Sequence, residues 1–186
     1  MRPTKFRVLG TAPYFHEAAE RVPNPGDCVV VERSDVQRQL VLRCPDGCGE
    51  ILPINLDRRA GPAWRFFNKD HRASLFPSID RPTGCRSHFI LSRGRIIWCD
   101  SRRWEGSDPI LLEYRTSILR AVADGQWHNF VSLAEGLDAV PWDVLETCEI
   151  LVRDRVLEEG DARLRGCFRL RATKYRTETG PSKGPR

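Results

Sequence analysis

The chain has 186 residues, with 30 Lys and Arg against 25 Asp and Glu, a formal charge of +5 and seven cysteines. This length allows one large domain or two small ones, and 40% hydrophobic content excludes wholesale disorder. No apolar run approaches the roughly 20 residues of a membrane helix, and Met1 to Arg7 lack the apolar stretch of a signal peptide. The expected address is therefore the cytoplasm, where thiols stay reduced and cysteines read first as metal ligands, core residues or reactive groups.

In chain order, residues 15–20 hint at a short helix, and Cys28 to Glu32 read as a strand after the turn Asn24-Pro25-Gly26-Asp27. Gln39 to Arg43 predict a second strand. Glu50 to Leu56 predict a third, with Pro53 marking an edge or a bulge, and Trp64 to Phe67 a fourth. His88 to Leu91 and Arg95 to Trp98 flank Ser92-Arg93-Gly94 as a hairpin. Pro77-Ser78 reads as a turn. Residues 1–108 are thus expected to form a small antiparallel β-rich domain, with a boundary near Gly106-Ser107-Asp108-Pro109.

Beyond it the period changes. Leu111, Tyr114, Ile118, Leu119 and Val122 recur at helical spacing, and Asp124-Gly125 closes that helix. Phe130 to Leu137 suggest a second helix, and Pro141 opens a third. Val156-Leu157 and Cys167 to Leu170 bracket Glu159-Gly160-Asp161 as a hairpin. Three helices and a hairpin over 109–171 resemble a winged helix, giving an α+β chain overall. Residues 172–186 predict a flexible basic tail, whose Lys174, Arg176, Lys183 and Arg186 against Glu178 carry +3 of the +5. The third helix holds Asp143, Glu146, Glu149 and Asp154 against Arg153 and Arg155. Such a helix would repel phosphate, so nucleic acid is disfavoured as a partner and a protein is preferred.

The sharpest motif is Cys44-Pro45-Asp46-Gly47-Cys48-Gly49. Its spacing suits a structural zinc knuckle, and Cys85-Arg86-Ser87-His88 supplies a second half-site. Cys44, Cys48, Cys85 and His88 form the expected Zn²⁺ set, with Cys99 able to replace Cys85 or His88. Cys28, Cys148 and Cys167 sit among apolar residues and read as core thiols. Trp64 and Trp98 read as packing residues.

These motifs, with Trp64, Ser74 to Ile79, Phe89 and Arg95 to Trp98, resemble a bacterial domain family found beside genes of ubiquitin-like conjugation systems linked to phage defence. The resemblance covers about residues 28–104. Where the family more commonly has Cys, this chain has Asp46. The resemblance implies a zinc-binding fold and a peptidase that processes or removes ubiquitin-like proteins. The partners would then be a ubiquitin-like protein or its conjugation enzymes.

Candidate catalytic residues are Ser78, Ser87 and His88, with His71 as another base and Asp70, Asp80 and Asp100 as orienting acids. Adjacent strand residues face opposite ways, which separates Ser87 from His88 once the strand has begun. A His88 that serves as base cannot also ligate zinc, and zinc would then take Cys99. The expected function is a zinc-stabilised peptidase; the alternative is a non-catalytic zinc-binding adaptor that docks a protein through its winged-helix half.

Overall fold

A computed structural model describes residues 2–69, 72–101 and 109–172. The expected tail lies outside these from residue 173 onward, as do Asp70, His71 and residues 106–108 of the expected boundary.

Two four-stranded sheets lie in the first hundred residues. The first, in spatial order β1-β2-β3-β4, joins β1 (Arg7–Ala12), β2 (Asp27–Arg33), β3 (Val36–Arg43) and β4 (Ile51–Asn55). It departs from the expected all-antiparallel pattern because β1 runs parallel to β2. Pro53 stands on the edge strand β4, where a missing N–H is tolerated. The second sheet, β5-β6-β7-β8, is an antiparallel meander of β5 (Arg65–Lys69), β6 (Arg72–Asp80), β7 (His88–Ser92) and β8 (Arg95–Trp98). Pro77-Ser78, expected as a turn, lies inside the nine-residue β6.

Alternation assigns each face. Cys28 and Val30 of β2 face inward with Leu40 and Leu42 of β3, and meet Leu75, Ile79, Phe89, Leu91 and Trp98 of the second sheet. Val29 and Val31 face outward, under Ala18 of helix α1 (Phe15–Glu20) and Val22. Burial on both faces explains the unbroken Val29-Val30-Val31 run.

The second sheet is also covered twice. Ile90 of β7 and Ile97 of β8 point away from the first sheet. They enter a core with residues of α2 (Pro109–Ala121), α3 (Phe130–Gly136) and α4 (Pro141–Arg153). A small sheet completes this C-terminal unit, in order β10-β11-β9, from β9 (His128–Asn129), β10 (Leu157–Glu159) and β11 (Cys167–Leu170). The described residues form an α+β fold with four α-helices. Asn129 caps α3 by accepting from the backbone N–H of Val131, and Pro141 occupies the first turn of α4.

One buried ion cluster pins the halves together. Arg93, in the β7–β8 turn, donates to Asp143 and Glu146 of α4, and all three side chains are at most 3% exposed. The acidic helix read as phosphate-repelling surface therefore turns two of its carboxylates inward. Removing one side of a buried ion cluster strands the other, at about 3–5 kcal/mol. Arg93→Met should lower unfolding stability in urea by about that amount; a loss below about 1 kcal/mol would show that the cluster contributes little.

Candidate functional site

The site begins with an irregularity in the β6–β7 ladder. Leu75 pairs with Leu91 and Ile79 with Phe89, so β6 carries extra residues between the two pairs. Bulges of this kind re-aim side chains. The bulge holds Phe76, Pro77 and Ser78, and the Phe76-Pro77 peptide is cis. Two indoles hold its backbone. Trp142 Nε1 donates to the Leu75 carbonyl at 2.8 Å, and Trp64 Nε1 donates to the Ser78 carbonyl at 3.4 Å. Phe76 stays paired with Arg65 of β5, and its ring packs on Trp142, with centroids 4.8 Å apart.

Ser78 Oγ lies 3.1 Å from His88 Nε2. His88 opens β7 and points, like Ile90, toward the C-terminal unit. It is exposed, while Ser78 is half-buried. The pair borders a cavity of about 700 Å³, whose wall includes Ile90, Cys99, Phe130, Trp142 and Leu145. The cavity therefore lies between the second sheet and the C-terminal unit. Its volume is in the range of small-molecule and peptide sites. The acids on its wall are Glu149 and Glu159. Asp80 is the cross-strand partner of His88, within side-chain reach. Asp100 is instead paired with Arg2. Neither Glu149 nor Glu159 stood out in the sequence, because nothing local ties α4 or β10 to Ser78.

Ser87 occupies the opposite face. It is buried, and its Oγ lies 3.2 Å from Cys85 Sγ and 4.0 Å from Cys44 Sγ. It does not share the cavity with His88. Strand parity is the reason: Ser87 and Phe89 face the first sheet, whereas His88 and Ile90 face away from it.

Cys44, Cys48 and Cys85 come together, with their sulfur atoms all within 4.8 Å of one another. His88 is not in this cluster, because it meets Ser78; nor is Cys99, which lines the cavity. The donor set fits a metal ion. Cys44 and Cys85 sulfurs are 3.7 Å apart, close to the roughly 3.8 Å that two thiolates adopt on a tetrahedral ion with bonds of about 2.3 Å. Arg81 Nη1 donates to all three, at 3.5, 3.4 and 3.0 Å. Arg81 also pairs with Glu50, whose Oε2 accepts from Cys48 Sγ at 3.6 Å. Gly84, at φ +67°, leaves room for this pair, since a Cβ there would come within 2.9 Å of Arg81 Nη2.

Burial pushes Cys44 up to about 11. Burial also opposes ionisation of Cys85, but hydrogen bonds from Ser87 and the neighbouring thiols outweigh it and draw its pKa down to about 7. Cys28 and Cys148 are buried and pushed up by desolvation, Cys148 to about 12. Since the thiolate is the reactive form, iodoacetamide at pH 7 should modify Cys85 of chelator-treated protein ahead of Cys44, and spare Cys28 and Cys148. Peptide mass mapping reads the order; modification of Cys28 before Cys85 would contradict it.

Residues 15–99 match the family model described as bacterial ubiquitination-like system serine protease (BubE). The resemblance visible in the sequence falls on the same stretch, and the match bears it out. No curated protein and no solved structure matches the chain. The match takes in Ser78, His88 and all three clustered cysteines, and it ends before α2.

Proposed function

We propose that this protein is a serine protease acting on a ubiquitin-like protein in a bacterial ubiquitination-like pathway, with Ser78 as nucleophile and His88 as general base. The observation that carries this reading is the 3.1 Å contact between Ser78 Oγ and His88 Nε2 at the mouth of a cavity. The family match over the same residues supports it. A non-catalytic adaptor would need neither feature.

The chemistry follows from the geometry. Neutral His88, protonated at Nδ1, accepts the Ser78 proton on Nε2 as Oγ attacks the scissile carbonyl carbon. The tetrahedral intermediate collapses as His88 gives that proton to the leaving amine, and an ester on Ser78 remains. Water then loses a proton to His88 and attacks the ester; the acid product leaves, and the proton returns to Ser78. A carboxylate that holds the His88 ring would complete a triad, and Asp80, Glu149 and Glu159 are the candidates.

Cys44, Cys48 and Cys85 would hold a structural zinc, with Glu50 as an adjoining oxygen donor. Zinc would cross-link the β3–β4 loop to the β6–β7 turn and so brace the two strands that carry Ser78 and His88. It takes no part in the bond-breaking steps. Residues 109–171 we read as a winged-helix-like unit, supported by three helices followed by the β10–β11 hairpin, and residues 1–108 as the protease unit. No described helix is long and apolar enough to cross a membrane. Seven free cysteines suit the reducing cytoplasm.

Incubation with the ubiquitin-like precursor tests the assignment. Ser78→Ala and His88→Ala should each lower kcat by about 10³-fold or more, while Ser87→Ala, if folded, stays within a few-fold of native. Undiminished cleavage by Ser78→Ala would remove Ser78 as nucleophile. Protein purified without chelator should carry about one zinc per chain by elemental analysis, lost in Cys48→Ser; a metal-free native protein would contradict the zinc assignment.

A further inference from the structure

The family match ends at residue 99, yet the cavity beside Ser78 is walled largely by residues beyond it: Phe130, Trp142, Leu145 and the Arg165-Gly166 turn. The protease half therefore supplies the reactive pair, and the C-terminal unit supplies most of what a substrate would touch.

Among the described residues, Arg165 is the only Lys or Arg on that wall. It is exposed and has no ion-pair partner among the described residues. The turn that carries it is fixed. Gly166 N donates to Glu159 Oε1 at 3.0 Å, and the Gly166 carbonyl accepts from Phe130 N at 2.9 Å. Gly166 sits at φ +75°, and a Cβ there would approach Phe130 Cδ1 to 3.1 Å. Arg165 shares the cavity wall with Ser78 and His88, with the apolar Phe130, Trp142 and Leu145, and with the acids Glu149 and Glu159; a cation held on this turn can receive an anion that enters the cavity. Guanidinium binds carboxylates with charge-assisted, often paired, hydrogen bonds. Peptides offer such a group at the C-terminus and on Asp and Glu side chains. A cavity of about 700 Å³ admits several residues of extended chain but no folded domain.

We infer that Arg165 is a specificity-determining residue that anchors a carboxylate of the substrate's C-terminal tail, with an apolar tail residue seated on Phe130, Trp142 and Leu145. This rests on the protease reading above. Where the anchored group is the α-carboxylate, a linear chain end is favoured over a branched conjugate.

The test uses the full chain and a peptide of the precursor's last ten residues in three forms: free carboxylate, C-terminal amide, and free carboxylate with Asp and Glu replaced by Asn and Gln. Arg165→Ala should raise KM for the free-carboxylate peptide at least tenfold with kcat little changed, and Arg165→Lys should restore part of the loss. Insensitivity of the amide form to Arg165→Ala identifies the α-carboxylate as the anchor; insensitivity of the neutralised form identifies a side chain. Either supports the inference. Equal KM for native and Arg165→Ala protein on every peptide would overturn it. Two further readouts separate it from the assignment of Ser78. A fluorophosphonate probe should label Ser78 equally in native and Arg165→Ala protein, and absence of labelling would count against Ser78 alone. Peptide binding to Ser78→Ala protein, read by fluorescence anisotropy, should weaken at least tenfold on adding Arg165→Ala; unchanged binding would overturn the role of Arg165 whatever the nucleophile proves to be.

Discussion

The alternation along β7 decides much of the structure. Phe89 and Leu91 serve the core shared with the first sheet, while Ile90 serves the core shared with the helices. The strand can bury both faces only because α4 and its neighbours cover the side that the first sheet leaves open. His88 stands where this two-sided alternation begins. Its ring faces the C-terminal unit but lies beyond the packed region, so it stays accessible while its backbone is fixed by the ladder. Ser87, one residue earlier, is committed to the cysteine cluster by the same parity. A strand whose register is held by two cores cannot slip by one residue without exchanging these environments.

The Arg93 cluster shows how the second core tolerates charge. A guanidinium and two carboxyl groups are withdrawn from water, and such clusters add little net stability compared with apolar packing. What they impose is orientation. Each carboxylate must meet a guanidinium fixed on a tight turn, so α4 can dock in few ways. That orientation sets Trp142 against Leu75 and Leu145 against the cavity.

Local chemistry was legible in the sequence wherever one face or one turn decided it. The strand at Cys28 to Glu32, the β7–β8 hairpin, the three helices and the Cys44/Cys48 knuckle were readable from alternation, helical period and Gly placement. The missing elements lacked such a signal. The β6 strand is interrupted by Pro77 and a bulge, so its period of two breaks where Ser78 sits. The strand β1 pairs in parallel through helix α1, a contact with no local signature. The choice between His88 as ligand and His88 as base hung on where the turn ends and the strand starts, a boundary of one residue. The third helix looked solvent-facing because Asp143 and Glu146 are acidic; their burial depends on Arg93, fifty residues away along the chain.

The shared sheet also bears on how the molecule can be taken apart. Its two stretches differ in texture, and a cut before α2 looks natural on paper. Such a cut would leave Ile90, Ile97 and Phe76 as a bare apolar face with Arg93 at its margin, and would leave α4 with two uncovered acids beside Trp142. The first piece would keep the cores on either side of its first sheet but lose the cover of its second, and the second piece would lose the sheet on which its helices pack. The two stretches are therefore better dissected by side-chain substitutions within the intact molecule, since cutting the chain would alter the packing at the shared sheet along with whatever was removed.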